Sequence, residues 1–134
     1  MATTAQHTNV ERARRAYEAY DRGDMAAISE QLADDTVWHM GGTSSLAGEY
    51  RGKDAVFGLL AKIMELSGGT FKLKVHDILA NDDHVVTLAS QTAERDGKRF
   101  ESNVIHVSHP DSEGRTKEFW VFQEKQAEAD DFFC

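Results

Sequence analysis

The sequence predicts an α+β domain, with helices packed on one side of an antiparallel sheet. Three observations carry this. Apolar residues recur at helical spacing through roughly the first half of the chain. From Thr70 onward the period changes to two. Short turn signals then divide the alternating region into a meander of long strands.

The first helix is read from Thr8 and Glu11, which fit a capping box. Val10, Ala13, Ala16, Tyr17 and Tyr20 follow at helical spacing. Gly23 ends this helix, and Asp24 is placed to cap the next. The second helix carries Ala27, Ile28 and Leu32 and is expected to run out near Asp34-Asp35. A short strand follows, Thr36-Val37-Trp38-His39, and stops at Gly41-Gly42. Residues 41–52, GGTSSLAGEYRG, read as a long loop of the kind that often carries function. A third helix starts near Asp54, turns Val56, Leu59, Leu60, Ile63 and Met64 to one side, and stops at Gly68-Gly69. In TFKLKVHDILA, Phe71, Leu73 and Val75 alternate with Lys72, Lys74 and His76. The turn Asn81-Asp82-Asp83, the hairpin signal Asp96-Gly97 and the turn from Pro110 to Gly114 separate the later strands.

At 134 residues the chain has the length of one domain, 1–134, with residues 1–8 and 125–134 read as loose ends. A formal net charge of −8 argues against a general nucleic-acid binder, which needs a cationic face. Arg12, Arg14 and Arg15 read as a solvated helix face. The single cysteine, Cys134, cannot form an internal disulfide. The polar start and the lack of a long apolar run suggest a soluble, cytoplasmic protein without a membrane segment. No metal site is expected. His106 and His109 are three apart on a strand and face opposite ways, His76 and His84 are out of register, and there is no cysteine pair. No glycine-rich phosphate loop follows a strand, so no nucleotide or other cofactor is expected.

Two histidines hold the chemical interest. His39 ends an apolar strand where the backbone loosens. His106 shares a strand face with Phe100, Ser102, Val104 and Ser108. Histidine is the side chain whose ordinary pKa lies nearest neutrality, so it can take or give a proton there. The bland reading of each is a hydrogen-bonded core or rim residue. Trp38 should face away from His39, Tyr17 and Tyr20 share a helix face, and Tyr50 is placed to act as a lid. Phe119, Val121 and Gln123 alternate with Glu118, Trp120 and Phe122, so one set lines any pocket and the other an interface.

The stretches YDRGDMAAISEQLADDTVWHMGG, LAGEYRGKDAV and EGRTKEFWVF, in that order, resemble the SnoaL-like, ketosteroid-isomerase-related branch of the nuclear transport factor 2-like superfamily. The likeness covers about residues 8 to 133. It implies a cone-shaped barrel, a curved antiparallel sheet wrapped around N-terminal helices, with a deep apolar pocket between them. It also implies that His39 stands where the steroid isomerases carry their general base, and His106 where they carry a protonated aspartate donor. Their catalytic tyrosine falls on Ala16, and Tyr17, one residue on, is expected to point elsewhere. Lys125 replaces an acidic residue common in relatives. The resemblance favours a pocket for a small apolar molecule, lined by Tyr17, Tyr20, Trp38, Tyr50, Val104, Phe119 and Gln123, in a homodimer formed through the sheet. The enzyme reading is cofactor-independent acid–base chemistry of isomerase, cyclase or hydratase type on a carbonyl-bearing compound, with His39 and His106 catalytic. The alternative is a non-catalytic ligand-binding or protein-interaction module.

Overall fold

The computed structural model describes residues 4 to 134. Two helices, α1 (Thr4–Arg22) and α2 (Met25–Gln31), lead into β1 (Leu32–Met40) and β2 (Gly48–Arg51). After α3 (Lys53–Leu66) come four long strands, β3 (Lys72–Ala80), β4 (Val85–Arg95), β5 (Lys98–Pro110) and β6 (Thr116–Gln123), then α4 (Gln126–Phe132). The sheet order is β2-β1-β6-β5-β4-β3. It is a mixed, open sheet rather than a purely antiparallel one, because β1 lies parallel to β6. Parallel pairing needs a long crossover, which α3 and the strands β3 to β5 provide.

Register shifts at Leu32/Val37, Val75/Asp77 and His109/Pro110 bend the strands, so the sheet curls around the helices as a cone. Asp96 and Gly97 both take positive φ, as a two-residue hairpin between strands of right-handed twist requires. Asp24 caps α2, accepting the Ala27 amide at 3.1 Å.

Several boundaries differ from those expected. The first helix begins at Thr4, so Thr8 lies inside it rather than at its cap. The second ends at Gln31, and Leu32 already belongs to the sheet. The glycine- and serine-rich loop contains β2, whose Glu49 and Tyr50 pair with His39 and Trp38. The acidic tail is helical, and burial of Ala129, Phe132 and Phe133 explains why. Phe132 stacks on Phe100 with centroids 5.3 Å apart. Arg95 donates to the carbonyls of Phe132 and Cys134, each at 2.8 Å, and Ser45 donates to that of Phe133 at 2.6 Å. Asp130 completes the attachment. Burial pushes its carboxyl pKa up, but hydrogen bonds from Thr43, Gln126 and Ser44 outweigh that and hold it below the usual range.

Gly42 makes this seam feasible. Its φ is +89°, and a Cβ there would overlap the Asp130 carboxylate. Gly58, inside α3, has nothing within 4 Å of an added Cβ and no positive φ. Urea unfolding should therefore show opposite signs at two glycines. Gly58→Ala should stabilise the protein by about 0.5–1 kcal/mol. Gly42→Ala should destabilise it by more than about 1 kcal/mol, from the positive φ and the overlap together.

Candidate functional site

A cavity of about 150 Å³ lies between the concave face of the sheet and α1, α2 and α3, with α4 closing one end. Among the described residues no aspartate, glutamate, lysine or arginine lines it. Its wall is mostly apolar, from Ile28, Leu59, Ile63, Phe71 and Phe119 among others. Strand alternation decides which side chains reach it. Trp38 and Met40 of β1, Thr87 and Gln91 of β4, His106 and Ser108 of β5, and Phe119, Val121 and Gln123 of β6 all point inward.

His106 is the chemical centre of this wall. It is 9% exposed, and its Nδ1 lies 2.7 Å from the Tyr17 hydroxyl. Burial lowers its pKa from 6.5 to about 4, so the ring is neutral near pH 7. Its Nε2 makes no protein hydrogen bond among the described residues and is not sealed by protein atoms. Tyr17 is buried too, and desolvation pushes its phenol well above the ordinary value, with a weaker opposing hydrogen bond from Thr87. Tyr17 and His106 thus form a hydrogen-bonded pair that ends at the cavity, with Thr87 in the same wall. Reading outward, a Tyr17 hydroxyl that donates to Nδ1 leaves Nε2 carrying the proton.

The ring of Phe119 lies between His106, at 4.9 Å, and Trp38, at 4.1 Å. Trp38 Nε1 and the Tyr20 hydroxyl are buried and have no hydrogen-bond partner among the described residues. Desolvation raises the Tyr20 phenol to about 12.

His39 is not in the cavity, and the expectation that two imidazoles share it is corrected. Trp38 and His39 are neighbours on one strand, so only one can face inward. The larger apolar ring takes the inside, where it removes more surface from water. His39 sits on the outer face, 2.7 Å from Glu118 through Nε2 and 3.8 Å from Glu49 through Nδ1. It stacks on Trp120 with centroids 5.2 Å apart. It cannot serve as a base for anything bound inside.

Tyr17 lines the cavity and supplies the partner of His106, beside Ala16, on which the resemblance places the isomerase tyrosine. Tyr50 is no lid; its hydroxyl donates to the Leu46 carbonyl at 2.7 Å, and its ring packs on the core. Val104 faces inward but is sealed in the core, 1% exposed, rather than bordering the cavity. Tyr20, Trp38, Phe119 and Gln123 line the cavity. Sequence reasoning passed over Thr87 and Gln91. Their signal was the inward set Val85, Thr87, Ala89, Gln91 and Ala93, where polar residues recur among small apolar ones on a buried face.

A family model described as a SnoaL-like domain matches residues 13–119. An uncharacterized protein of Mycobacterium tuberculosis is 34% identical over 86 residues, which covers 63% of this chain and 66% of that relative, a little under two thirds of its length. The solved structure of Bal32a, from a soil-derived mobile gene cassette, is 30% identical. It matches with a TM-score of 0.93 over 98% of this chain and 100% of that one. An NTF2-like protein of unknown function from Burkholderia pseudomallei, 21% identical, matches over 93% of this chain and 96% of its own with a TM-score of 0.80. At that identity the likeness is one of fold.

The depressed His106 pKa has a consequence for stability. A histidine that is harder to protonate when folded than when unfolded lets the unfolded chain bind more protons. Its contribution is therefore complete above about pH 6.5 and is lost as pH falls toward about 4. The size is on the order of 3 kcal/mol. Denaturation across that range should show the loss in the wild type and a flatter profile in His106→Leu. Tyr17→Phe leaves Nδ1 unpaired in an apolar wall and should cost about 1–3 kcal/mol near neutral pH.

Proposed function

The chain belongs to the SnoaL-like domain family, and we propose that it binds a small, uncharged, apolar molecule bearing a carbonyl group. The observation that carries this is the single neutral imidazole in an apolar cavity without charged side chains, with Nδ1 engaged by Tyr17 and Nε2 open to the cavity. A charged ligand would lose its hydration there without gaining a counter-ion. An Nε2–H next to the void suits a carbonyl oxygen, which accepts and carries no proton. Neutral imidazole can also stabilise negative charge developing on that oxygen.

A second reading, acid–base catalysis of isomerase, cyclase or hydratase type, is favoured by the Tyr17–His106 pair. If that hydrogen bond reverses its direction, Nδ1 keeps the proton and Nε2 becomes an acceptor. A ring with a pKa of about 4 is a weak base at neutral pH, so the donor role is the stronger of the two. With His39 outside, any second catalytic group must come from the ligand or from bound water.

We also propose that the outer face of the sheet pairs with a second copy of this chain. Leu88, Ile105 and Phe122 are cross-strand neighbours there, 37%, 42% and 53% exposed. Lys72 and Lys74 outnumber Asp77 on the β3 side of this face, whereas Glu118, Glu124 and Glu49 outnumber Arg51 toward β6, β1 and β2. A two-fold axis along the strands sets the basic side of one copy over the acidic side of the other, with the apolar row between.

Binding of 1-tetralone and of tetralin, its hydrocarbon counterpart, can be compared by calorimetry. The ketone should bind roughly five- to tenfold tighter in the wild type. His106→Leu should abolish that preference without weakening tetralin. An unchanged preference would rule out His106 as the carbonyl donor, and failure of both probes to bind would remove the pocket reading itself. Light scattering should give a dimer mass for the wild type and a monomer mass for Phe122→Glu. A monomeric wild type would end the self-association proposal.

A further inference from the structure

We infer that the side-chain amides of Gln91 and Gln123 form a second recognition station in the cavity, for a neutral ligand group that both donates and accepts hydrogen bonds. This rests on the small-molecule reading above and adds the other end of the ligand.

The two residues come from different strands. Gln123 of β6 stands opposite Val104 of β5, and Gln91 of β4 stands opposite Ser102 of β5. They meet across the inner face of β5, where the Gln91 amide donates to the Gln123 carbonyl oxygen. Both border the cavity, and Gln91 is only 4% exposed. A buried glutamine is expensive unless its amide is satisfied, and one mutual hydrogen bond uses a fraction of what the pair can make. Whichever way the two amides are turned, one carbonyl oxygen and several N–H groups are left over. No other protein group takes them among the described residues. Nor are those atoms closed off, since the buried polar atoms without partners belong to Tyr20, Thr36 and Trp38. They face the void.

Register fixes where this station lies relative to His106. His106 is opposite Val121 on β6 and Thr87 on β4, so Gln123 lies two residues from its level and Gln91 four. The rise along the strands is about 7 Å to Gln123 and about 13 Å to Gln91, and their side chains meet between those levels. Val121 provides apolar wall between His106 and the two amides. The matching ligand has a ring-sized apolar body with a carbonyl at one end. At the other, about 7 Å away at the level of Gln123, it has a hydroxyl or a neutral amide. An ionised carboxylate or phosphate does not fit, because the glutamine pair brings no charge and the cavity wall has none.

The probes are tetralin, 1-tetralone and 6-hydroxy-1-tetralone, which carry no, one and two polar ends on one skeleton. In the wild type, adding the phenol should tighten binding roughly five- to tenfold beyond 1-tetralone. Gln91→Leu and Gln123→Leu should each remove that increment. Both should leave the preference for 1-tetralone over tetralin intact, because it depends on His106. Tetralin binding serves as the control for folding in each variant. If the phenol adds nothing in the wild type, or its gain survives in both leucine variants, the amide station is wrong while the carbonyl reading stands. If none of the three binds the wild type, the small-molecule reading falls first and takes this inference with it.

Discussion

The hydrogen bond between Tyr17 and His106 spans the interior, from the first helix to the centre of the sheet. Both groups are buried in an apolar wall, where an unpaired phenol or imidazole would cost as much as a good hydrogen bond contributes. Each removes that cost for the other. The pairing also fixes the ring, so that Nδ1 is engaged and Nε2 points at open space. Burial keeps the ring neutral, the hydrogen bond directs its polar atom, and the same contact adds to the packing of Ala19 and Tyr20 that holds helix α1 in place.

The cavity survives because the sheet is both curved and attached at its rims. Register shifts in β1, β3 and at the end of β5 curve it around the helices. The tail then seals one end, with Phe132 and Phe133 on Phe100 and the Asp130 carboxylate against the Gly42 turn. Two apolar clusters hold the walls, one around Leu59 and Phe100 and one around Val56 and Ile28. The space between them is hollow rather than filled. Buried donors on Tyr20 and Trp38 have no hydrogen-bond partner among the described residues. Such atoms oppose folding slightly, and the closed rims hold them in place.

The same alternation that builds the cavity empties it of a second imidazole. On β1 the inward position went to Trp38, and on β6 to Phe119, whose rings stack. Their strand neighbours, His39 and Trp120, stack on the outside instead. The two faces have therefore taken different chemistry. The inside is neutral and aromatic. The outside holds the charges, the histidines His84 and His109, and an exposed apolar row.

Local pattern determined much of this protein. The helical spacing of Val10 to Tyr20 and of Val56 to Met64, the period of two after Thr70, and the glycines at 23, 68 and 97 placed most elements, because backbone preference and side-chain periodicity act over a few residues. That Phe119, Val121 and Gln123 share one face was legible in the same way, through alternation, but which face of the strand lines the pocket was not. What no short stretch contains is how strands lie beside each other and which face becomes the inside. Pairing of β1 with β6 joins residues about eighty positions apart, and it decided the place of His39. The small helical phase difference between Ala16 and Tyr17 was settled by a partner on β5. Gln91 and Gln123 meet only across a third strand. Ends of elements also moved with tertiary contacts, as when the acidic tail became helical by docking two phenylalanines. Periodicity is local and survives in a sequence; convergence of side chains on one cavity is a property of the assembled sheet.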